Sequence, residues 1–216
     1  MSAFPQRLID GYRAFTTQRL PIEQSRYRAL SERGQSPETM VVGCCDSRVS
    51  PEVIFDARPG ELFVVRNIAN LVPVYQPDAN AHGISAAVEF GVEVLKVKHI
   101  VILGHAQCSG IGAIINKAAP LSSGDFIGRW MAMLIKPGEV VEQLERETMK
   151  EFATRIEKAA VLRSIENLMT FPFVQKSVES GHLRLHGAYF GIAEGSLYAL
   201  DWETKEFRSV GDDSLV

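Results

Sequence analysis

At 216 residues, with 46% apolar and 23% charged side chains and a formal net charge of −3, the chain has the balance of a soluble globular protein able to close its own core. No stripe rich in lysine and arginine dominates any region, so nucleic acid is not an expected partner. The three cysteines, at 44, 45 and 108, are no disulfide framework. With no basic-then-apolar leader and no apolar run of the ~18–20 residues that cross a bilayer, a cytoplasmic protein with no membrane partner is expected.

Residues 1–33 are expected to form helix in two pieces. Phe4, Leu8, Tyr12 and Phe15 recur at helical spacing and give one apolar face. Pro21 can open the second piece, because a helix's first turn tolerates a residue without an N–H, and Gly34 can close it. This arm must bury its face against its own domain or another subunit. TMVVGC (39–44) reads as a buried strand, and SPEVIFD as a short helix with Ser50 as N-cap and Pro51 at its first position. ELFVVRN (61–67) is a second strand, GISAAVEFGVEVLK (83–96) a helix and KHIVILGH (98–105) a third strand. Strands so continuously apolar suit a parallel sheet covered on both faces.

Beyond residue 124 come two helical stretches, DFIGRWMAML and EVVEQLERETMKEFATRIEKAAVLRSIENLMTF, separated by KPG at 136–138. HLRLHGAYFGI (182–192) alternates as a strand, LYALD and EFRSV can pair as a hairpin, and GDDSLV reads as a mobile tail. No repeat or linker interrupts the chain. The expected fold class is α/β, a single domain over 1–216 with a mostly parallel central sheet flanked by helices, in which the arm (1–33) precedes a core (34–216).

Cys44 falls at the carboxyl end of the first strand; His105 and Cys108, in GHAQCSG, fall at and just past the end of the third. Ligand sites in open parallel sheets form at those ends, above all where strand order reverses. Two thiolates and an imidazole are a good zinc set, and three protein ligands leave a fourth position open, as in catalytic sites. Taken singly, each cysteine reads more readily as a small buried hydrophobe than as a ligand, and His105 as a strand-end histidine bonded to backbone; it is the joint placement at two strand ends that favours a metal. Asp46 and Arg48, two apart in an extended segment, can pair. Spacing alone makes them a turn-closing ion pair. Beside a metal-bound water, a carboxylate held ionised by arginine can also orient that water for attack.

The motif G-C-x-D-S-R-V with a later G-H-x-x-C resembles the β-class carbonic anhydrases, in their plant-like branch. The resemblance runs through RGQSPETMVVGCCDSRVSPEVIFDARPGELFVVRNIANLVP, HGISAAVEFGVEVLKVKHIVILGHAQCSGI and HGAYFGIAEGSLYALD, and is loose only around 120–170. It implies zinc, one per subunit, on Cys44, His105 and Cys108, and a catalytic dyad of Asp46 and Arg48. It implies that Gln35 contacts substrate and that Phe63, Ile68 and Phe90 line a narrow apolar pocket for carbon dioxide. Ser109 and Gly110 belong to the same substrate region. The implied reaction is reversible hydration of carbon dioxide to bicarbonate and a proton by zinc-bound hydroxide. The implied assembly is a homodimer or higher homo-oligomer, with the N-terminal arm wrapping a neighbour and sites at the subunit interface.

Two thiolates donate more charge than imidazoles, so activity is expected to rise at alkaline pH. His82 and Tyr75 are candidates for exporting the proton. Cys45 stands where the family often has serine; its side chain should point away from Cys44, so one cysteine binds metal and the other packs. Phe90 replaces a tyrosine, and Ser109 a glycine, so that its side chain narrows the site. Val41 replaces the tryptophan of bicarbonate-inhibited members, so that inhibition is expected to be absent. Carbonyl sulfide or carbon disulfide as substrate, a closed structural zinc site, a Cys44–Cys45 disulfide and a thiol-redox role are the rival readings. His99, His182 and His186 are assigned no function.

Overall fold

The computed structural model describes residues 4–115, 126–135 and 141–211. They fall into two compact units, Met1–Ser36 and Pro37–Val216. In the first, α1 (Gln6–Ala14) and α2 (Leu20–Arg33) are joined not by a break but by a wider π-turn, Phe15–Arg19. Pro21 cannot donate to the turn before it, so regular bonding is interrupted near this joint. The Arg13 carbonyl there takes hydrogen bonds from the Thr16 and Thr17 hydroxyls at 2.9 and 2.8 Å. Gly34 closes α2 at φ 79°, its N–H on the Leu30 carbonyl. Phe4, Leu8 and Tyr12 stay exposed within the chain.

The second unit is built on strands β1 (Thr39–Cys44), β2 (Leu62–Asn67), β3 (His99–His105), β4 (Arg184–Gly191), β5 (Ser196–Leu200) and β6 (Phe207–Ser209), in the order β2-β1-β3-β4-β5-β6. The first four are parallel; β5 and β6 add an antiparallel meander. The sheet is therefore mostly parallel, as the strand composition predicts. The helices are α3 (Pro51–Ile54), α4 (Gly83–Glu89), α5 (Ser109–Ile115), α6 (Phe126–Ala132), α7 (Met149–Leu168) and α8 (Pro172–Glu179). None is long and apolar enough to cross a membrane. Met40, Val42, Ile100, Ile102 and Leu185 of the sheet pack with Val88, Val161, Ile165, Leu168 and Val174 of α4, α7 and α8. Val41, Leu103 and Ala188 form a separate cluster with Ile54 and Phe55.

Three helices differ from the sequence expectation: α5, where no helix is expected, α7 and α8. The long stretch expected from residue 139 is irregular over 141–148 and becomes helix at Met149. Thr148 caps it, its hydroxyl accepting from the Glu151 N–H while the Glu151 carboxylate accepts from the Thr148 N–H. The irregular chain before it is held by Arg155, which donates to both Glu147 carboxylate oxygens, at 2.8 and 2.9 Å, and to the Glu142 carbonyl. Helix α8 was not expected, although Pro172 at its first position is a start signal. The KPG break at 136–138 and residues 212–216 of the tail lie outside the described residues.

Gly104 of β3 runs so close to α7 that an added Cβ would meet the Val161 side chain at 2.6 Å. Gly104→Ala should therefore lower the unfolding free energy by about 1–3 kcal/mol, read from urea melts. A second test uses pH. Hydrogen bonds from Arg155 hold the Glu147 carboxyl at about 2, below its ordinary 4.5. A depressed carboxyl stabilises the fold above its unfolded value and loses that contribution as pH falls through the folded one. The urea-midpoint gap between wild type and Arg155→Met should be flat above pH 5 and shrink between about 4.5 and 2. A constant offset remains, because Arg155 also lies over the Phe152 ring.

Candidate metal centre

From β1 the chain crosses to β2 on one side, and β3 then joins β1 on the other. The carboxyl ends of β1 and β3 therefore flank a topological switch point. Cys44 is the last residue of β1, His105 the last of β3, and Cys108 immediately precedes α5. The three donor atoms lie within 4.8 Å of one another. The residues are 4%, 1% and 5% exposed.

The donor set fits a metal on its own chemistry. His105 places Nδ1 on the Ala106 carbonyl at 2.8 Å, which fixes the ring and leaves Nε2 for the pocket. That Nε2 is buried and, among the described residues, has no partner at hydrogen-bonding geometry. A buried imidazole nitrogen left so beside two sulfurs is a costly arrangement that a cation relieves. The sulfurs are already surrounded by donors. The Asp46 and Ala69 N–H groups favour the thiolate at Cys44, and those of Gly110 and Ile111 favour it at Cys108. The neighbouring Cys108 sulfur pulls the Cys44 thiol far below its ordinary value, and the same closeness, with burial, pushes Cys108 up. Burial by itself would lower His105, but Cys44 raises it. One thiolate thus forms readily in the pocket, and a cation would favour the second.

Left-handed backbone makes these close approaches. Ala69 (φ 63°) and Asn70 (φ 50°) turn the chain after β2, and Gln107 (φ 56°) turns it before Cys108. Each turn is held by side chains. Asn67 bonds both the N–H and the carbonyl of Leu71. From α7, Ser164 donates to the Asn70 carbonyl and accepts from the Val72 N–H, while Asn167 donates to the Val72 carbonyl. Arg66 on β2 donates to the Cys44 and Asp46 carbonyls, each at 2.7 Å.

Asp46 and Arg48 do pair. Arg48 Nε and Nη2 meet the two carboxylate oxygens at 2.9 and 2.6 Å, and the Arg48 N–H adds a third bond at 3.0 Å. These bonds hold the Asp46 carboxyl far below the usual carboxylate range. Arg48 also donates to the Gln107 carbonyl at 3.1 Å, tying the pair to the turn that carries Cys108.

The other expected residues divide. Phe63 and Phe90 pack together, ring centroids 5.8 Å apart. Ile68 immediately precedes the left-handed turn at Ala69, and a Cβ on Gly110 would meet it at 2.9 Å. Gly110 thus permits a close approach. Ser109 opens α5 exposed to solvent. Gln35 is exposed and lies in the first unit. His82 pairs with Asp78 at 2.8 Å, and the Tyr75 ring leans on Phe171. Cys45 corrects an expectation. It is an exposed free thiol and does not pack in the chain, because β1 ends at Cys44 and its N–H goes out to the Asn67 carbonyl. Sequence reasoning missed Arg66, Asn67, Gln107 and Glu157. Glu157 alone left a signal: a charged residue on the apolar stripe of α7.

A mostly parallel α/β fold with a buried thiolate–imidazole pocket at its switch point defines a candidate metalloenzyme. The family profile described as "Carbonic anhydrase" matches residues 39–197. A carbonic anhydrase of Pseudomonas aeruginosa is 34% identical over 205 residues, covering 95% of this chain and 91% of that protein. The solved β-carbonic anhydrase CcaA superposes with a TM-score of 0.82 at 26% identity, covering 94% of this chain and 98% of that one. A chain from the crystal structures of two tetrameric β-carbonic anhydrases of Sordaria macrospora gives 0.72 at 29%, covering 90% and 95%. The chain belongs to the carbonic anhydrase family, in its β class, and catalyses the reversible hydration of carbon dioxide.

Arg66 makes two hydrogen bonds to carbonyls that flank the site. Replacing it with methionine should cost about 2 kcal/mol in urea melts, in the range of bonds from charged donors. Leu62 and Val64 pack elsewhere in the sheet, so the strand itself should survive.

Proposed function

We propose that the metal is zinc, one ion per subunit, held by Cys44, His105 and Cys108, and that Asp46 and Arg48 are the catalytic dyad. One observation carries this reading: three buried donors within 4.8 Å, one an unpartnered imidazole nitrogen, beside a carboxylate clamped by arginine. Zinc supplies Lewis acidity that brings the pKa of a water toward neutrality. Asp46 stays ionised across the working range, so it accepts a hydrogen bond from the nucleophile and orients its lone pair rather than delivering a proton. Arg48 keeps both Asp46 oxygens occupied and prevents that carboxylate from swinging to the metal. Phe63, Ile68 and Phe90 offer apolar surface against which carbon dioxide is held, and Ser109 and Gly110 border it. By the sequence resemblance, Gln35 bonds a developing bicarbonate oxygen at a neighbouring subunit's site.

The finer assignments rest on the sequence resemblance. They are the plant-like branch without bicarbonate inhibition, for which Val41 speaks, and a homodimer or higher homo-oligomer in which the helical arm (1–33) of one subunit wraps the next. The tetrameric Sordaria macrospora relatives support the assembly. The chain acts as one domain, residues 1–216. The free cysteines support a cytoplasmic setting.

Stopped-flow hydration of carbon dioxide with a pH indicator, on protein of measured zinc content, tests the roles. Activity should rise from pH 7 to 9, vanish in Cys44→Ser along with the zinc, and fall about 10²–10⁴-fold in Asp46→Asn with zinc retained. Full activity in Asp46→Asn would remove it from the mechanism. Zinc bound by four protein ligands with no turnover would replace the catalytic reading with a structural one.

A further inference from the structure

The peptide joining Gln107 to Cys108 is gripped at both ends. Its carbonyl accepts from Arg48 Nη2 at 3.1 Å, and its N–H donates to Glu157 Oε1 at 3.0 Å. The carbonyl and N–H of a trans peptide point in opposite directions, so the two bonds together fix its rotation. Glu157 comes from α7 and is 4% exposed. Its other oxygen, Oε2, accepts from the buried Tyr189 hydroxyl of β4 at 2.7 Å. The Tyr189 ring is held in turn. It leans on the rings of Tyr198 and Phe207, and the Lys158 ammonium lies 5.4–5.7 Å from all three.

We infer that Glu157 is a positioning residue for the metal centre: steadied by Tyr189, its carboxylate fixes the Gln107–Cys108 peptide, and through it both the Cys108 sulfur and the carbonyl that Arg48 grips. A buried carboxylate in a helix's apolar stripe is costly unless each oxygen is bonded. Here each oxygen has one of the bonds just named. An acceptor on the N–H also polarises the peptide and makes its carbonyl a better acceptor for Arg48. The ligand Cys108 and the Asp46–Arg48 pair are thus aligned by the same peptide. The left-handed Gln107 that this peptide follows stays in place because both ends are held. The inference rests on the reading of Cys108 as a metal ligand.

The test compares wild type, Glu157→Gln, Glu157→Ala and Tyr189→Phe in two readouts. One is zinc affinity by competition with a chromogenic chelator; the other is the absorption spectrum of the Co²⁺-loaded protein. Glutamine can still accept from Cys108 but puts an amide N–H where Tyr189 donates, so affinity should fall about 10-fold, against up to about 100-fold for alanine, the range for outer partners of metal ligands. The cobalt d–d bands should shift in both, and less in Tyr189→Phe. A purely structural Glu157 would change unfolding midpoints without moving those bands. If Glu157→Ala fails to fold, Glu157→Gln and Tyr189→Phe decide. Wild-type affinity and superimposable cobalt spectra in these two would overturn the inference while leaving the ligand assignment intact. A wild-type protein without a thiolate-to-cobalt band would overturn the ligand assignment itself, and the inference with it.

Discussion

Because β1 and β3 run parallel and in register from Thr39 beside His99 to Gly43 beside Leu103, their carboxyl ends arrive together at one edge of the sheet. Each strand there runs out of ladder partners, and the chain beyond it leaves backbone N–H groups that must find acceptors. In this molecule several face sulfur. The N–H groups of Asp46 and Ala69 favour a thiolate at Cys44, and those of Gly110 and Ile111 favour one at Cys108, where burial and the Cys44 sulfur oppose it. The end of the sheet thus puts backbone donors around both sulfurs. The same termination frees the chain to turn through Ala69, Asn70 and Gln107 in conformations most residues avoid.

Those turns would relax if left alone, and α7 prevents it. A helix packed on a sheet is expected to present only apolar side chains inward, yet α7 buries Glu157, Ser164 and Asn167 as well. The latter two bond backbone between Asn70 and Val72; Glu157 bonds backbone at Cys108. The apolar part of α7 holds the domain together, and its polar part fixes the ends of the two strand-end loops. Interior polar groups cost desolvation, and the price is met by backbone that would otherwise be unpaired.

The elements legible in the sequence were those whose pattern is local. The three N-terminal parallel strands, the Pro51 helix start and the Gly34 stop follow from short runs of residues, and all are present. The Asp46–Arg48 pair was legible as an ion pair, because two residues of extended chain bring the groups together. What could not be read was long-range. Nothing near Arg66 says that it will reach the Cys44 carbonyl 22 residues away, nor near Glu157 that it will meet Cys108 across 49. The start of α7 departs from the sequence pattern for a different reason. Charged residues from 142 to 147 carry helical spacing, but the capping box at Thr148 and the Arg155 clamp hold them in another path. Cys45 was assigned to packing from strand alternation, which stops applying where the strand stops.

The spacing of the pocket's donors along the chain bears on how the protein reaches its folded state. Cys44 and His105 are 61 residues apart in sequence (105 − 44), and no metal site of this geometry exists before β3 has paired with β1. That pairing is non-local, and the closure of a loop of this length is among the slower, entropically costly events of folding. An ion held by Cys44, His105 and Cys108 would act as a clasp on that loop, stabilising the folded chain by mass action according to its concentration and tightness of binding. Metal supply would then add to the stability of the closed loop and of the parallel centre of the sheet.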